Sequence, residues 1–449
     1  MQQFKKYISG SSFVKNVLTL ASGTSLALVI PVLISPILTR LFTPHEFGLI
    51  ALYAVFVGIV LVLSSARYEQ AILLPSKKVN AVNIVYLAMM ISTFTVLCLL
   101  VVILFFGEFV AEFILGDKEL VKLLYFAPMS VFFLSIYQIL NYWAIRNSCY
   151  KLVAKAKISQ AIIISVLHVG FGYLGFGVVG LVVGALVGQL FTMLIMLYNL
   201  NIYNEKEFVN TIKIYAVLRR YKNFPLMNLL SAILNTVSVK IPLLMFGGVY
   251  GVSVVGFYSL AERVVTMPVS LVGASVAQVY YREVANFKND LNKIAAISIS
   301  VFKKMFLIGV VGMSFLGFYG DVIFAFVFGE DWRDAGVYAQ YLTPWMLLVF
   351  AASPILHLYA VLEKQKIALV FNVSLFLSRF LSVVLAVSFS NSAIVGVIAF
   401  SLISVVFWLM QLGYLFSLIE VSMLKISSFM VLVVSVVLIP QLFLYNLIS

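Results

Sequence analysis

The stretch LLYFAPMSVFFLSIYQILNYWAI, residues 123–145, carries no acidic or basic side chain. Because a helix needs about 20 apolar residues to cross ~30 Å of hydrocarbon, the stretch predicts a membrane-spanning helix. A second stretch, AQYLTPWMLLVFAASPILHLYAV, superposes on it at an offset of 216, aligning Tyr125 with Tyr341 and Pro128 with Pro344. The pair indicates that the chain contains an internal repeat.

The composition is that of an integral membrane protein. Of the 449 residues, 63% are apolar and 10% are charged, against roughly 45 to 50% and ~25% in soluble domains. Apolar runs of membrane-spanning length recur along the chain, and none alternates like a β-barrel strand. The cysteines are Cys98 and Cys149, which do not suggest a disulfide framework. We therefore predict an all-α polytopic membrane protein.

Hydropathy predicts thirteen membrane spans. The first six and the next six form the two copies of the repeat. An even number of spans gives both copies the same orientation, and such parallel repeats place a substrate between them.

The predicted spans are 16–38, 47–66, 82–106, 123–145, 158–174, 177–199, 224–246, 253–281, 304–328, 336–361, 367–388, 393–417 and 427–447. The predicted domains are an N-terminal six-helix lobe at 1–200, a cytoplasmic linker at 201–222, a C-terminal six-helix lobe at 223–417 and an additional C-terminal transmembrane segment at 418–449.

The basic residues predict the orientation of the chain. Of the 30 Lys and Arg residues, 23 fall in loops on the N-terminal side, whereas the opposite loops hold Arg40, Lys118, Lys122 and Arg333. By the positive-inside rule the N-terminus is cytoplasmic. The first apolar run has no small-residue cleavage site and is expected to be a retained span. The charge of +13 reflects this loop bias and its attraction to anionic lipid, so no nucleic-acid partner is expected.

The sequence lacks the usual signs of an enzyme. It contains no G-x-x-x-x-G-K-[ST] phosphate loop, so the chain is not expected to hydrolyse ATP. Any transport would therefore take its energy from a gradient or from a partner. His45, His168 and His357 are scattered without metal-ligand spacing or a hydrolase motif, so no metal or other cofactor is expected. The outer loops are short for a glycan-assembly enzyme.

Polar residues in span eight mark a candidate site. Ser259, Glu262, Thr266 and Ser270 recur at three- and four-residue spacing, with Arg263 on the adjoining edge. Counting about 1.5 Å per residue from the outer end of the span puts Glu262 and Arg263 roughly 14 to 15 Å deep, near the midplane. Ionisable residues at that depth face a bundle interior or a hydrated cavity. A structural pair that ties span eight to a neighbouring helix is the alternative.

Four other ionisable residues join this candidate set. Arg379 lies near the middle of span eleven, has no acid in its own span, and would suit phosphate oxygens. Arg67 and Glu69 lie near the inner end of span two, where snorkelling to the interface explains them as well as function does. Lys240 falls opposite the polar stripe of span seven, so it is the weakest candidate, although Pro242 could reorient it.

Five stretches, taken in order, carry a family resemblance. They are LTRLFTPHEFGLIALY (38–53), RYEQAILLPSK (67–77), GFYSLAERVVTMPVSLVGASVAQVYYRE (256–283), FGEDWRDAG (328–336) and YLTPWMLLVFAASP (341–354). Together they resemble the Wzx-type polysaccharide (O-antigen repeat-unit) flippases of the multidrug/oligosaccharidyl-lipid/polysaccharide exporter superfamily. The resemblance covers spans one to twelve. Lys240 is not part of the pattern, and thirteen spans depart from the usual twelve or fourteen.

The resemblance implies two six-helix lobes in a V around a central cavity, as in the multidrug exporters of the superfamily. It also implies that an undecaprenyl-diphosphate-linked oligosaccharide moves from the cytoplasmic to the periplasmic leaflet of a bacterial inner membrane. The polysaccharide polymerase and the chain-length regulator would be candidate protein partners.

Within that cavity, Arg263 and Arg379, with Arg67 and Lys240 as weaker candidates, would bind the diphosphate. Glu262 would either hold Arg263 or take up a coupling ion, and Glu69 is a second candidate for ion coupling.

Two other functions stay open from the sequence. A drug or metabolite exporter of the same superfamily would be expected to keep an acidic cation site in its first lobe, but span one contains no Asp or Glu. A membrane enzyme of glycan assembly, such as a ligase or polymerase, is the third alternative.

The uneven distribution of basic residues makes the orientation testable. In a variant without Cys98 and Cys149, we expect a cysteine at Asn147 to react with an impermeant reagent only from the cytoplasm. A cysteine at Asp331 should react only from the periplasm, because the positive-inside rule assigns the two loops to opposite sides. Labelling of intact and opened cells measures this, and the reverse pattern would overturn the orientation.

Overall fold

The computed structural model describes residues 12–287 and 290–421, and every regular element in this part of the chain is helical. Helical segments follow from the composition, because a helix satisfies its own backbone hydrogen bonds where no water is available. The α-helices are α1 (Ser12–Leu41), α2 (Pro44–Ser64), α3 (Tyr68–Ala71), α4 (Lys78–Phe109), α5 (Leu120–Leu124), α6 (Ala127–Arg146), α7 (Tyr150–Tyr173), α8 (Gly177–Leu200), α9 (Thr211–Arg220), α10 (Leu229–Tyr250), α11 (Val252–Pro268), α12 (Ala274–Asn286), α13 (Leu291–Phe328), α14 (Arg333–Ala352), α15 (Leu358–Val361), α16 (Gln365–Phe389) and α17 (Ala393–Leu418).

Short π- and 3-10-helical segments join or extend several of these helices. Three π-helical turns continue α4, precede α10 and join α11 to α12. The 3-10 segments lie between α8 and α9, before α14 and before α15. The π-helical turns are Val110–Ile114, Phe224–Asn228 and Val269–Gly273, and the 3-10 segments are Ile202–Phe208, Glu330–Trp332 and Ile355–His357.

The long helices confirm the predicted all-α polytopic membrane protein. Within the described residues, 11 helices are long and apolar enough to cross a membrane, and Ser25–Leu41 is a shorter apolar helix at the end of α1. These helices correspond in order to the first twelve predicted spans. The thirteenth predicted span, 427–447, lies outside the described residues.

Contacts between helices divide the chain into two compact units. Among the described residues, the first unit contains 12–42 and Leu49–Val237, and the second contains Thr43–Gly48, 238–287 and 290–421. Both α2 and α10 therefore contribute residues to both units. The segment predicted as a linker, 201–222, belongs to the first unit and is itself helical over much of its length.

In the first unit, α7 packs against α1 and α8, and α6 packs against α4 and α8. Its core includes the buried side chains of Ile84, Trp143 and Met196. In the second unit, α14 is the central helix. It packs against α11, α13 and α17. In the span that ends with this helix, Glu330–Ala352, 89% of the most apolar 18-residue stretch is buried.

The tenth predicted span, 336–361, is not one continuous helix. α14 ends at Ala352, and α15 begins only at Leu358. Pro354 lies within the break, and because a proline has no N–H it cannot donate the backbone hydrogen bond that would continue the helix. Apolar composition continues through this break, which is why hydropathy alone merged the two segments.

Two glycines allow an exceptionally close helix crossing in the second unit. A Cβ atom at Gly48, in the first turns of α2, would overlap the carbonyl oxygen of Val252 in α11. A Cβ atom at Gly256 would overlap the carbonyl oxygen of Pro44. The predicted sequence repeat aligns EFGLIAL with VVGFYSL at an offset of 208, which pairs Gly48 with Gly256. The crossing therefore brings together positions that the repeat predicts to be equivalent.

This crossing predicts different effects for two glycines of α2. Gly48→Ala should lower the melting temperature of the purified protein, because a methyl group forced against backbone costs about 1–3 kcal/mol. Gly58→Ala is the matched control, since a Cβ atom there meets nothing within 4 Å. Thermal unfolding, monitored by size-exclusion chromatography after heating, measures the melting temperature of both variants. Equal melting temperatures would show that the crossing is not tightly packed.

Candidate functional site

The carboxylate of Glu262 forms an ion pair with Lys240 of the neighbouring helix α10. Lys240 Nζ lies 2.9 Å from both carboxylate oxygens of Glu262. Both side chains are only partly accessible, with 31% of Lys240 and 12% of Glu262 exposed. The pair therefore joins α10 to α11 within the second unit.

This geometry corrects the interpretation that Glu262 holds Arg263. Consecutive residues of a helix point about 100° apart, so neighbours in sequence do not face each other. Arg263 is exposed, and within residues 12–287 and 290–421 its guanidinium makes no hydrogen bond or ion pair. Lys240 lies opposite the polar stripe of its helix, as the sequence indicated, but that side of α10 faces the acid of α11.

Arg379 of α16 occupies a closed environment in the second unit. Only 3% of the residue is exposed. Its Nε donates to Ser404 Oγ at 2.9 Å, and its Nη1 donates to Ser238 Oγ at 3.4 Å. Within the described part of the chain, no carboxylate forms an ion pair with it. Hydroxyl groups, rather than an acid, thus hold the guanidinium.

Two aromatic rings complete the surroundings of Arg379. The guanidinium carbon lies 4.7 Å from the ring centroid of Trp345 and 4.7 Å from that of Phe400. The electron-rich faces of aromatic rings attract cations, most strongly where water is excluded. The two rings are themselves in edge-to-face contact, with centroids 5.1 Å apart. This aromatic pair lets the protein enclose a positive charge without an acid.

Tyr258 is a site residue that the sequence analysis missed. It is fully buried on α11, one turn before Glu262, and interacts electrostatically with both Glu262 and Arg379. Its hydroxyl group has no hydrogen-bond partner in the described structure. The four-residue spacing of Tyr258 and Glu262 was the signal in the sequence, because residues at that spacing share a helix face.

Arg67 and Glu69 form a separate pair in the first unit. They lie in and beside α3, where Ala66 and Arg67 have positive φ angles of 48° and 63°. Arg67 Nη1 is 3.5 Å from Glu69 Oε1, and Ser65 Oγ donates a short hydrogen bond to Glu69 Oε2. Glu69 is 1% exposed, so snorkelling to the membrane surface does not describe this pair.

The six predicted residues therefore fall into distinct groups. Lys240 and Glu262 form an ion pair, and Arg263 follows Glu262 on α11. Arg379 is enclosed by aromatic rings. Arg67 and Glu69 belong to the other unit. Across residues 12–287 and 290–421, no group of three or more His, Cys, Asp or Glu side chains could hold a metal ion.

Solved structures with the same fold are membrane transporters. The chain aligns with "Lipid II flippase MurJ, inward closed conformation" at a TM-score of 0.72 and 14% identity, covering 97% of this chain and 100% of the other. It aligns with an inward-facing multidrug resistance MATE family transporter of the MOP superfamily at a TM-score of 0.65 and 16% identity, covering 90% of this chain and 94% of the other. It also aligns with a MOP superfamily transporter from Pyrococcus furiosus at a TM-score of 0.54 and 16% identity, covering 91% of this chain and 97% of the other.

The chain thus has the fold of MOP-superfamily transporters. The family model for polysaccharide biosynthesis proteins matches residues 37–336, which is about two thirds of the sequence. The chain belongs to this polysaccharide biosynthesis protein family. No curated protein sequence matches it.

The ion pair predicts energetic coupling between two helices. Lys240→Met and Glu262→Gln should each destabilise the protein, and the double variant should lose less than the sum of the two. Contacting residues typically show coupling of about 0.5–3 kcal/mol. Denaturation of the four proteins in detergent measures this coupling.

A second cycle, combining Arg263→Gln with Glu262→Gln, is the matched control. It should be closer to additive, because Arg263 makes no direct contact with the carboxylate. Equal coupling in the two cycles would contradict the observed pairing.

Proposed function

We propose that this protein is a flippase that moves an undecaprenyl-diphosphate-linked oligosaccharide repeat unit from the cytoplasmic to the periplasmic leaflet. The product would serve surface polysaccharide assembly, such as O-antigen, capsule or exopolysaccharide. The family supports a role in polysaccharide biosynthesis, and the fold is shared with a lipid II flippase. Alternating access is the mechanism that suits a pair of parallel repeats.

One observation carries the proposal: Arg263 is exposed on a membrane-spanning helix and has no acidic partner among the described residues. An arginine at membrane depth is costly unless it faces a hydrated path or an anion. Glu262, the nearest acid in sequence, is already neutralised by Lys240. The guanidinium of Arg263 is therefore available to an anionic group, and its planar fork matches phosphate oxygens.

The other basic residues have graded roles in this proposal. Lys240 lies within reach of the same helix face and could bind a phosphate if it left Glu262. Arg379 would contribute only after the Trp345 and Phe400 rings moved apart, since they enclose it in this conformation. Arg67 is a further candidate in the first unit, where Glu69 holds it.

Ion coupling is proposed for the two acids, with Glu262 the stronger candidate. When a diphosphate draws Lys240 away, the carboxylate of Glu262 loses its counter-charge and can take up a proton or a sodium ion in place of Lys240. Glu69 could undergo a similar exchange if the substrate competed for Arg67. Substrate binding would thereby favour uptake of the coupling ion.

The proposal includes a location and a set of partners. The protein would lie in the bacterial inner membrane with a cytoplasmic N-terminus, as the basic loops predict. The polysaccharide polymerase and the chain-length regulator are the candidate protein partners.

Arg263 provides the direct test. In liposomes carrying a fluorescent undecaprenyl-diphosphate sugar, Arg263→Ala should reduce the flipping rate at least tenfold, because the phosphate loses its bidentate partner. Arg263→Lys should restore part of the rate, since it keeps the charge without the fork. An impermeant quencher measures the fraction flipped.

Arg333→Ala is the matched control for this assay. Arg333 is also an exposed arginine, but it already pairs with Glu330 and Asp321, so the rate should stay near that of the wild type. Wild-type protein that moves cationic dyes but not the lipid-linked sugar would favour the exporter function instead.

The coupling role of Glu262 is tested in the same liposomes. An imposed proton or sodium gradient should accelerate flipping by the wild type, whereas Glu262→Gln should lose this acceleration because an amide cannot change its charge. Binding of the lipid-linked sugar to Glu262→Gln, measured without a gradient, should persist. Undiminished acceleration in this variant would leave Glu262 a purely structural role.

A further inference from the structure

A short amphipathic helix follows the membrane-spanning helix α8. This helix, α9, begins after Asn210, whose side-chain oxygen accepts the backbone N–H of Ile212 at 2.8 Å and that of Lys213 at 3.4 Å. Such a side-chain cap fixes the start of a helix. The last turn of α9 carries Arg219 and Arg220.

One side of α9 is attached to the first unit. Val217 is buried at 4% exposure, and α9 packs against α4. Asn83 of α4 fixes the preceding segment, because its Nδ2 donates to the carbonyl of Phe208 at 2.9 Å and its Oδ1 accepts the N–H of Asn210 at 3.0 Å. The carbonyl of Leu218 accepts the Tyr68 hydroxyl at 3.1 Å. The orientation of α9 is thus held by side chains of the first unit.

A side of α9 that adjoins these contacts is apolar and exposed. Ile212, Tyr215 and Leu218 recur at three-residue spacing and are 79%, 54% and 38% exposed. Side chains at this spacing lie along one face of a helix. Large apolar side chains grouped on an exposed face indicate an interaction surface.

The same segment is strongly basic. Residues 211–222 contain Lys213, Arg219, Arg220 and Lys222 and no acidic residue, and all four basic side chains are exposed. The guanidinium of Arg219 lies 4.8 Å from the ring centroid of Tyr215. A positive charge is therefore held directly beside the exposed apolar side chains.

The position of α9 in the chain indicates what covers this face. α8 ends at Leu200, ten residues before α9, and the next membrane-spanning segment begins at Phe224, three residues after α9. The helix consequently lies near the membrane surface on the side of the basic loops. An apolar face flanked by lysine and arginine is the pattern of helices that lie in the interface of an anionic bilayer.

We propose that residues 211–222 form a docking surface for anionic phospholipid. Ile212, Tyr215 and Leu218 insert at the level where head groups meet acyl chains. Arg219, Arg220, Lys213 and Lys222 contact head-group phosphates. This surface is separate from Lys240, Glu262 and Arg263, and it does not depend on what the protein transports.

The charge of the surface is tested with the full-length protein in detergent. Added phosphatidylglycerol should raise the melting temperature several degrees more than phosphatidylcholine does. Replacing Lys213, Arg219, Arg220 and Lys222 with Gln should remove more than half of that difference. The matched control replaces Lys151, Lys155, Lys303 and Lys304 with Gln. These four residues are also exposed and lie in the first halves of α7 and α13, on the same predicted side. The control should keep the lipid response, and an equal loss in both variants would overturn the proposal.

Insertion of the apolar face is tested separately, so that a folding defect in the Gln variant does not decide the matter. In a variant without Cys98 and Cys149, a fluorescent probe is attached to Tyr215→Cys or to Ala216→Cys. Both positions are exposed, but they lie on different faces of α9. Brominated phosphatidylglycerol in liposomes should quench the probe at 215 at least twofold more than the probe at 216. Equal quenching at the two positions would exclude insertion of this face.

Discussion

Hydrocarbon solvates neither an unpaired backbone amide nor an isolated charge, and this constraint governs the structure from its helices to its charged side chains. The second unit meets the constraint in two ways. Lys240 and Glu262 neutralise each other across two helices. Arg379 is enclosed by aromatic faces and hydroxyl groups. Arg263 alone of these residues is left exposed, and the proposed function depends on it.

The same interactions also hold the helices together. Arg379 of α16 contacts side chains from α10, α14 and α17, and the Lys240–Glu262 pair joins α10 to α11. α14, the central helix, supplies Trp345 to the enclosure of Arg379. Residues proposed to act on substrate are therefore also packing residues. A rearrangement that released Arg379 or Lys240 would at once loosen contacts between helices, which is a physical route from substrate binding to conformational change.

Phosphate groups enter the two proposals in different environments. The lipid-linked substrate would present its diphosphate to arginine at membrane depth, where a charge is costly and a matching partner is correspondingly valuable. The lipid head groups at α9 would meet basic residues at the surface, where each contact is weaker and several must act together. Side chains of the first unit hold α9, including Asn83 and Tyr68. Lipid composition could therefore influence the stability of that unit without any contact with the transported molecule.

How much of the structure the sequence predicts depends on the physical origin of each feature. Apolar run length sets the number and order of the membrane helices, because crossing hydrocarbon requires a fixed length of apolar helix. The predicted repeat likewise aligns Gly48 with Gly256, and these two glycines lie at one helix crossing in the structure. Pairing between helices is different, since it depends on how each helix is rotated about its axis. Adjacency of Glu262 and Arg263 in the chain suggested a pair, but only the tertiary structure turned Lys240 toward the acid. The enclosure of Arg379 draws on Ser238, Trp345, Phe400 and Ser404, which no local pattern connects. Sequence alone thus determined that this is a helical membrane protein with ionisable residues inside its apolar spans. Helix packing decided which of those residues are paired or enclosed and which is left exposed.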